Sequence, residues 1–207
     1  MDKTFVLICP IIQNFSLSSL SNNQRIEEIN KTKNNLSKSQ KYTVFKLLEY
    51  ALKKLYNTNI EDTSISKQVK WESKDYNFSF SHSHNFVCIA ICKDKQSPLG
   101  VDIEKVQTRF DNLYKKFCTK KEIEQLKNED NKTEQACLYW TKKESFFKSS
   151  SLENFIPSSI ETFLYSSFYT YKFFDLSFLN TTVKYCVCVY SKQKVEFINI
   201  PDLEKEL

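Results

Sequence analysis

Apolar and polar positions along this chain fall into segments of two periods. Residues 4–9 are a short apolar run closed by Pro10 and read as a first buried strand. Residues 21–33 are polar with scattered isoleucines, a surface helix that carries Arg25, Lys31 and Lys33 on a solvated face. In 37–56, Tyr42, Phe45, Leu48, Leu52 and Leu55 recur at helical spacing, with Ser37 or Ser39 as the cap. Residues 57–74 form a connector with a short strand around Val69-Lys70-Trp71. Phe78-Ser79-Phe80-Ser81-His82 alternates as a half-buried strand does, and 86–92 is continuously apolar. A turn-like 93–98 leads into a strand at 99–106, so 86–106 reads as a hairpin. Helices follow at 109–117, 119–128 and 131–149, then strands at 168–178, 183–190 and 195–200.

That order lacks the strict alternation of a doubly wound fold. It predicts an α+β protein of two halves, each an antiparallel sheet packed with helices. No repeat is visible in the sequence itself. The boundary between halves is expected near 98–108, dividing the chain into 1–100 and 101–207.

The 207 residues suit one large domain or two small ones, and 41% hydrophobic with 14% aromatic residues can fill a core. A formal charge of +5 favours anionic partners without choosing among them. The basic residues form no dense run and no nucleic-acid motif is present, so no nucleic-acid partner is expected. The seven cysteines are odd in number and include no Cys-x-x-Cys pair. They are expected to be reduced small hydrophobes of a cytoplasmic protein, not a zinc or disulfide framework. The apolar stretch 5–12 is too short to span a bilayer and lacks the flanks of a signal peptide, so no membrane association is expected.

Four local patterns carry candidate chemistry. The single glycine, Gly100, opens Gly100-Val101-Asp102-Ile103-Glu104. A lone glycine implies a position intolerant of a Cβ, through positive φ or close approach of another group. Asp102 and Glu104 lie on one face of a strand, a start to a divalent-cation site; two solvated acids on an ordinary strand would look the same. Ser81-His82-Ser83 offers an imidazole flanked by hydroxyls, able to hold a phosphate or to end a strand; His84 is a second, looser candidate. Thr119 and Glu122 have capping-box spacing, which accounts for both structurally. In 140–148, Trp140, Glu144 and Lys148 share a helix face with Lys143 adjacent, which suits an anion held through a metal or a simple Glu144–Lys148 ion pair.

Taken in order, Phe80-Ser81-His82-Ser83, then Gly100-Val101-Asp102-Ile103-Glu104, then Phe117-x4-Glu122, then Trp140-x2-Lys143-Glu144-Ser145-x2-Lys148 resemble the 4′-phosphopantetheinyl transferases. The match resembles the larger, surfactin-synthetase-activating type, which folds as two similar α+β halves with the site at their interface. The resemblance implies transfer of 4′-phosphopantetheine from coenzyme A to a serine of an apo acyl or peptidyl carrier protein. The implied product is adenosine 3′,5′-bisphosphate and the implied cofactor Mg²⁺, which amounts to holo-acyl-carrier-protein synthase activity. It further implies a monomer. By the same resemblance Asp102, Glu104 and Glu144 match metal ligands. His82, with Ser81 beside it, matches a contact to the coenzyme A 3′-phosphate. Lys143 and Lys148 match lysines near the pyrophosphate, Glu122 an acid near the metal proposed as base, and Trp140 a ring packed under the site.

The chain departs from the family pattern in places. After Lys148 it has Ser149-Ser150-Ser151-Leu152-Glu153 where the family has a glycine turn. Ser73-Lys74-Asp75 stands where the family has Gly-Lys-Pro, offering Lys74 as a phosphate contact. Lys38 or Lys41 supplies the basic residue early in the first long helix. Aromatic residues around 110–117, with Lys115 and Lys116, are the expected docking surface for an acidic carrier protein. A non-catalytic coenzyme A or nucleotide binder on the same fold is the alternative.

Overall fold

The computed structural model of the chain describes residues 3–67 and 71–207. It begins with strand β1 (Lys3–Pro10), then helices α1 (Asn23–Asn30) and α2 (Asn35–Tyr56). Two short strands, β2 (Ser66–Lys67) and β3 (Trp71–Glu72), pair with each other. Val69 and Lys70, expected in a strand with Trp71, lie outside the described residues. Strands β4 (Asn77–Ser83), β5 (Phe86–Cys92) and β6 (Leu99–Lys105) lead to helices α3 (Arg109–Phe117), α4 (Lys120–Lys127) and α5 (Lys132–Ser149). The chain ends in β7 (Tyr169–Phe178), β8 (Thr181–Ser191), β9 (Lys194–Asn199) and a short α6 (Leu203–Glu206).

The long strands build two sheets, β4-β5-β1-β9 and β6-β8-β7. The expected hairpin over 86–106 is therefore not formed. Every residue of β5 is buried, and the strand pairs with β4 on one edge and β1 on the other. With both edges taken it has no edge left for β6, which crosses to the second sheet and pairs with β8. The final strand departs from the sequence reading too, because β9 returns to the first sheet and pairs with β1 in parallel. The first sheet thus draws a strand from beyond residue 100 and is mixed, not purely antiparallel.

Alternation along the strands sorts the side chains into layers. Val6, Ile8, Cys88 and Ala90 face inward and meet Val101, Ile103, Val187 and Val189 of the second sheet in one buried cluster. Leu7, Cys9, Val87, Ile89 and Ile91 point the other way and are covered by Val44, Phe45, Leu48 and Leu52 of α2. The outer face of the second sheet is covered by α5.

The α5 contact is unusually close because both surfaces are small. Cys137, Thr141 and Ser145 recur every fourth residue, so they share one helix face. Thr141 Oγ1 lies 3.3 Å from Cys186 Sγ and Ser145 Oγ lies 3.7 Å from Cys188 Sγ on β8. At the neighbouring position on β6 the partner is Gly100. A Cβ there would stand 1.9 Å from the carbonyl oxygen of Ser145 and 2.7 Å from the Ser149 amide nitrogen. The lone glycine is thus explained by close approach of helix backbone, and its φ is not positive. All seven cysteines are buried and free, in keeping with their role as compact packing groups.

Elsewhere the chain turns without glycine. His84, Leu179, Asn180 and Asn57 take positive φ, the last as the left-handed end of α2. The N-cap of α2 is Asn34, whose side chain accepts from the Ser37 amide at 2.9 Å, so the cap lies upstream of the two serines expected to provide it. After Lys148 come serines and no glycine turn. Ser149 Oγ donates to the Phe146 carbonyl at 2.7 Å and Ser150 Oγ to the Phe147 carbonyl at 2.9 Å, satisfying the last turn of α5. Among the described residues no helix is long and apolar enough to cross a membrane.

Replacing Gly100 with Ala forces α5 off β6, since the obstacles are backbone atoms that cannot rotate away. The expected cost is about 3 kcal/mol or more, read as a fall in the urea midpoint, whereas Ser145→Ala should cost about 1 kcal/mol or less.

Candidate active site

Where the edges of β4 and β6 meet, no backbone ladder joins them. Serine side chains do so instead. Ser79, Ser81 and Ser83 share one face of β4 because they alternate with Phe78, Phe80 and His82. Ser79 Oγ accepts from the Val101 amide at 3.0 Å and Ser83 Oγ from the Lys105 amide at 3.2 Å. Between them Ser81 Oγ donates to Asp102 Oδ1 at 2.7 Å, and Ser83 Oγ lies 2.9 Å from Glu104 Oε2. The polar half of the alternating strand thus satisfies the open edge of β6 and fixes both acids.

Above this seam lies a cleft of about 380 Å³, lined by Ser81, His82, Asp102, Glu104, Glu144 and Lys148, with Arg25, Glu28, Lys41 and Trp71 on the far wall. Asp102 is only 4% exposed. Its Oδ1 also accepts from Lys148 Nζ at 2.8 Å, while its buried Oδ2 has no partner among the described residues. Lys148 thus turns to Asp102 across the sheet, with Ser81 Oγ 3.0 Å away. Glu104 accepts from Trp140 Nε1 at 3.2 Å and pairs with Arg109 at 2.9 Å, so the tryptophan is a donor to the site as well as a ring packed near it.

Glu104 and Glu144 are both harder to ionise than ordinary carboxylates. Burial and then the Asp102 charge lift Glu104 above the ordinary carboxylate range. Burial, followed by Asp102, pushes Glu144 up to about 7, although Lys148 works against the rise. At His82, desolvation and then the Lys148 ammonium hold the imidazole below its ordinary value, so it is neutral at pH 7. Among the described residues no three acidic, imidazole or thiol groups converge tightly enough to define a cation site as placed. The donor set nevertheless fits a hard cation: oxygen ligands, one of them buried and unpartnered, and two carboxylates raised by burial and by the Asp102 charge.

Lys143 and Glu122 stand apart from this cleft. Both are fully buried and paired with each other at 2.7 Å. Glu122 Oε2 also accepts from the Thr119 amide, completing the expected capping box, and Oε1 accepts from Thr162 Oγ1 at 2.7 Å. Lys143 Nζ donates to the carbonyls of Pro157 and Ile160. Lys143, expected by a pyrophosphate, and Glu122, expected beside a metal, are thus placed together and apart from the cleft acids. One residue is about 100° of helix rotation, which carries Lys143 from the face of Glu144 toward α4 and the 157–162 segment. This fully satisfied pair clamps that segment onto α4 and α5.

Other expectations are also relocated. Lys74 is exposed between β3 and β4 and is not among the cleft residues, whereas Lys41 is. Arg25, expected on a solvated face, is 4% exposed, with its guanidinium 5.6 Å from the Phe45 ring and 5.3 Å from the Trp71 ring. The available signal was Ile29, one turn along the same face of α1. Phe110 and Phe117 belong to the core, so they offer no apolar docking contact; α3 exposes Arg109, Asp111, Asn112, Leu113, Lys115 and Lys116.

Residues 98–191 match the 4′-phosphopantetheinyl transferase superfamily. The 4′-phosphopantetheinyl transferase Sfp of Bacillus subtilis (strain 168) is 37% identical over 76 residues, 36% of this chain and 33% of the relative. A second 4′-phosphopantetheinyl transferase of Bacillus subtilis is 32% identical over 78 residues, 37% of this chain and 34% of the relative. The matched region thus spans about one third of each relative. The match over residues 98–191 is to the superfamily that the motifs resemble, and the likeness to Sfp agrees with the larger type.

The raised Glu144 carboxyl has a consequence for stability. The folded state holds this proton more tightly than the unfolded chain, so its contribution is present below the unfolded value and is lost as pH rises toward about 7. In EDTA, Glu144→Gln should be more stable than the parent at pH 8 by about 1–2 kcal/mol, and no more stable at pH 4. Urea unfolding at the two pH values measures the difference.

Proposed function

We propose that the protein transfers 4′-phosphopantetheine from coenzyme A to a serine hydroxyl of an apo carrier protein, releasing adenosine 3′,5′-bisphosphate. The observation that carries this reading is the cleft in which Asp102, Glu104, Glu144 and Lys148 face His82, on a chain whose 98–191 segment matches the superfamily. In this reading 1–100 and 101–207 are two related halves meeting at the cleft, with β9 exchanged into the first sheet. The protein acts as a monomer in the reducing cytoplasm, consistent with its free thiols.

Asp102, Glu104 and Glu144 would hold Mg²⁺. Bound there, the ion would supply the positive charge that draws the donor's pyrophosphate to an otherwise acidic wall. Lys148 is anchored by Asp102 and Ser81 at the cleft floor and places an ammonium against the non-bridging oxygens as charge shifts toward the leaving bisphosphate. The serine oxygen attacks the phosphorus nearest pantetheine, forming the new P–O bond as the bond to the leaving phosphate breaks. The serine proton passes to a carboxylate of the cleft. Glu122 is enclosed and paired with Lys143, so it makes no direct contact with that proton. Glu122 and Lys143 act as positioning residues. Neutral His82 and Lys41 bind the 3′-phosphate, and the exposed face of α3 with Leu113, Lys115 and Lys116 receives an acidic carrier protein.

Intact-mass analysis of an apo carrier protein incubated with the protein, coenzyme A and Mg²⁺ tests the reaction. A metal-dependent gain of one phosphopantetheine is expected, and no gain across fatty-acid, polyketide and peptide carriers would favour a coenzyme A binder. Asp102→Ala should lower kcat by about 10³-fold or more without unfolding the chain. Near-parental turnover would remove Asp102 from the machinery. His82→Ala should raise KM about tenfold for coenzyme A and leave dephospho-coenzyme A nearly unchanged, since only the former carries the 3′-phosphate. An equal effect on both donors would contradict the role given to His82.

A further inference from the structure

The far wall of the cleft holds an acid that a phosphate-binding surface would be expected to avoid. Arg25 is almost wholly enclosed between Phe45 and Trp71, and its Nη1 pairs with Glu28 Oε2 at 2.7 Å. Lys41 approaches the other oxygen of the same carboxylate, with Nζ 3.3 Å from Oε1. Trp71 Nε1 donates to Oε2 at 3.2 Å. All four side chains line the cleft, and the Arg25 charge is felt at His82 across it. One carboxylate therefore bridges Arg25 and Lys41, the two cations that the described residues place on this wall. The Arg25 Nε, buried and without a partner among the described residues, leaves that guanidinium still short of an acceptor.

We propose that Glu28 is a specificity-determining residue of the donor site, a built-in anion that competes with the donor's terminal phosphomonoester for Arg25 and Lys41. The inference rests on the donor reading given above. A phosphomonoester carries about two negative charges near neutral pH. Arg25, Lys41 and Glu28 together present a single net positive charge, and His82 is neutral. A phosphate entering here meets cations already engaged, and it must displace Glu28 from Lys41 or lie beside a like charge. The protein consequently discriminates less between donors with and without the 3′-phosphate than Arg25 and Lys41 would allow without Glu28. Lys41 can be released without losing its place, because Thr32 Oγ1 also holds its Nζ at 3.0 Å.

Isothermal titration of the full chain with adenosine 3′,5′-bisphosphate and with adenosine 5′-monophosphate tests the proposal. Glu28→Gln keeps the shape of the side chain and removes its charge. The preference for the bisphosphate over the monophosphate should rise about tenfold, with monophosphate affinity nearly unchanged. Lys41→Met should lower the same preference by about tenfold. If both nucleotides bind the parent and Glu28→Gln leaves the ratio unchanged or lowers it, Glu28 is only an anchor for Arg25 and the proposal falls while the donor reading stands. An unchanged ratio in Lys41→Met overturns it equally, including in the case where the Glu28 variant does not fold. If the parent binds neither nucleotide, the donor reading fails and this inference with it.

Discussion

Everything at the cleft depends on how closely one helix backbone can approach one strand. Gly100 lets the Ser145 carbonyl come to a distance that no Cβ would permit, and Cys186 and Cys188 keep the surface beside it shallow. That seating brings α5 low enough for Lys148 to reach Asp102 and for Trp140 to reach Glu104. A bulkier sheet surface would lift the helix and separate the acids of β6 from those of α5. The small residues of this interface, cysteines included, are therefore a geometric requirement of the site.

A second constraint is the seam between the sheets. An exposed edge strand needs partners for its amides, and β6 finds them in serine hydroxyls of β4 in place of a backbone ladder. The same serines contact Asp102 and Glu104. Structure and chemistry thus share one set of atoms: what closes the edge also orients the acids. The Glu122–Lys143 pair plays the complementary role on the opposite side of α5. Fully satisfied, it fixes the 157–162 segment without adding charge to the cleft.

Electrostatically the cleft is a set of near-balanced oppositions. Three acids crowd one wall, and burial, followed by the Asp102 charge, lifts Glu144 to about 7 against the pull of Lys148. On the other wall Arg25 and Lys41 are both engaged by Glu28. A ligand rich in phosphate, arriving with a divalent cation, relieves the first imbalance and contends with the second. The proposed donor has that character.

The sequence by itself determined the elements and the four motifs. The helical spacing of 42–55, the alternation of 78–82 and the continuous apolar run 86–92 reflect local periodicity, which needs no partner to be read. The order of the motifs was enough to indicate the superfamily. Tertiary structure alone decided which strands pair, because β5 and β6 are successive strands and only the filling of both β5 edges sends β6 to the other sheet. It also decided which charged residues share the cleft. Lys143 is one residue from Glu144 yet turned into the core, while Arg25 is remote in sequence yet stands in the cleft wall. Adjacency along the chain fixes neither outcome, since a rotation of about 100° per helical residue separates neighbours and packing between α1, α2 and the sheet joins strangers.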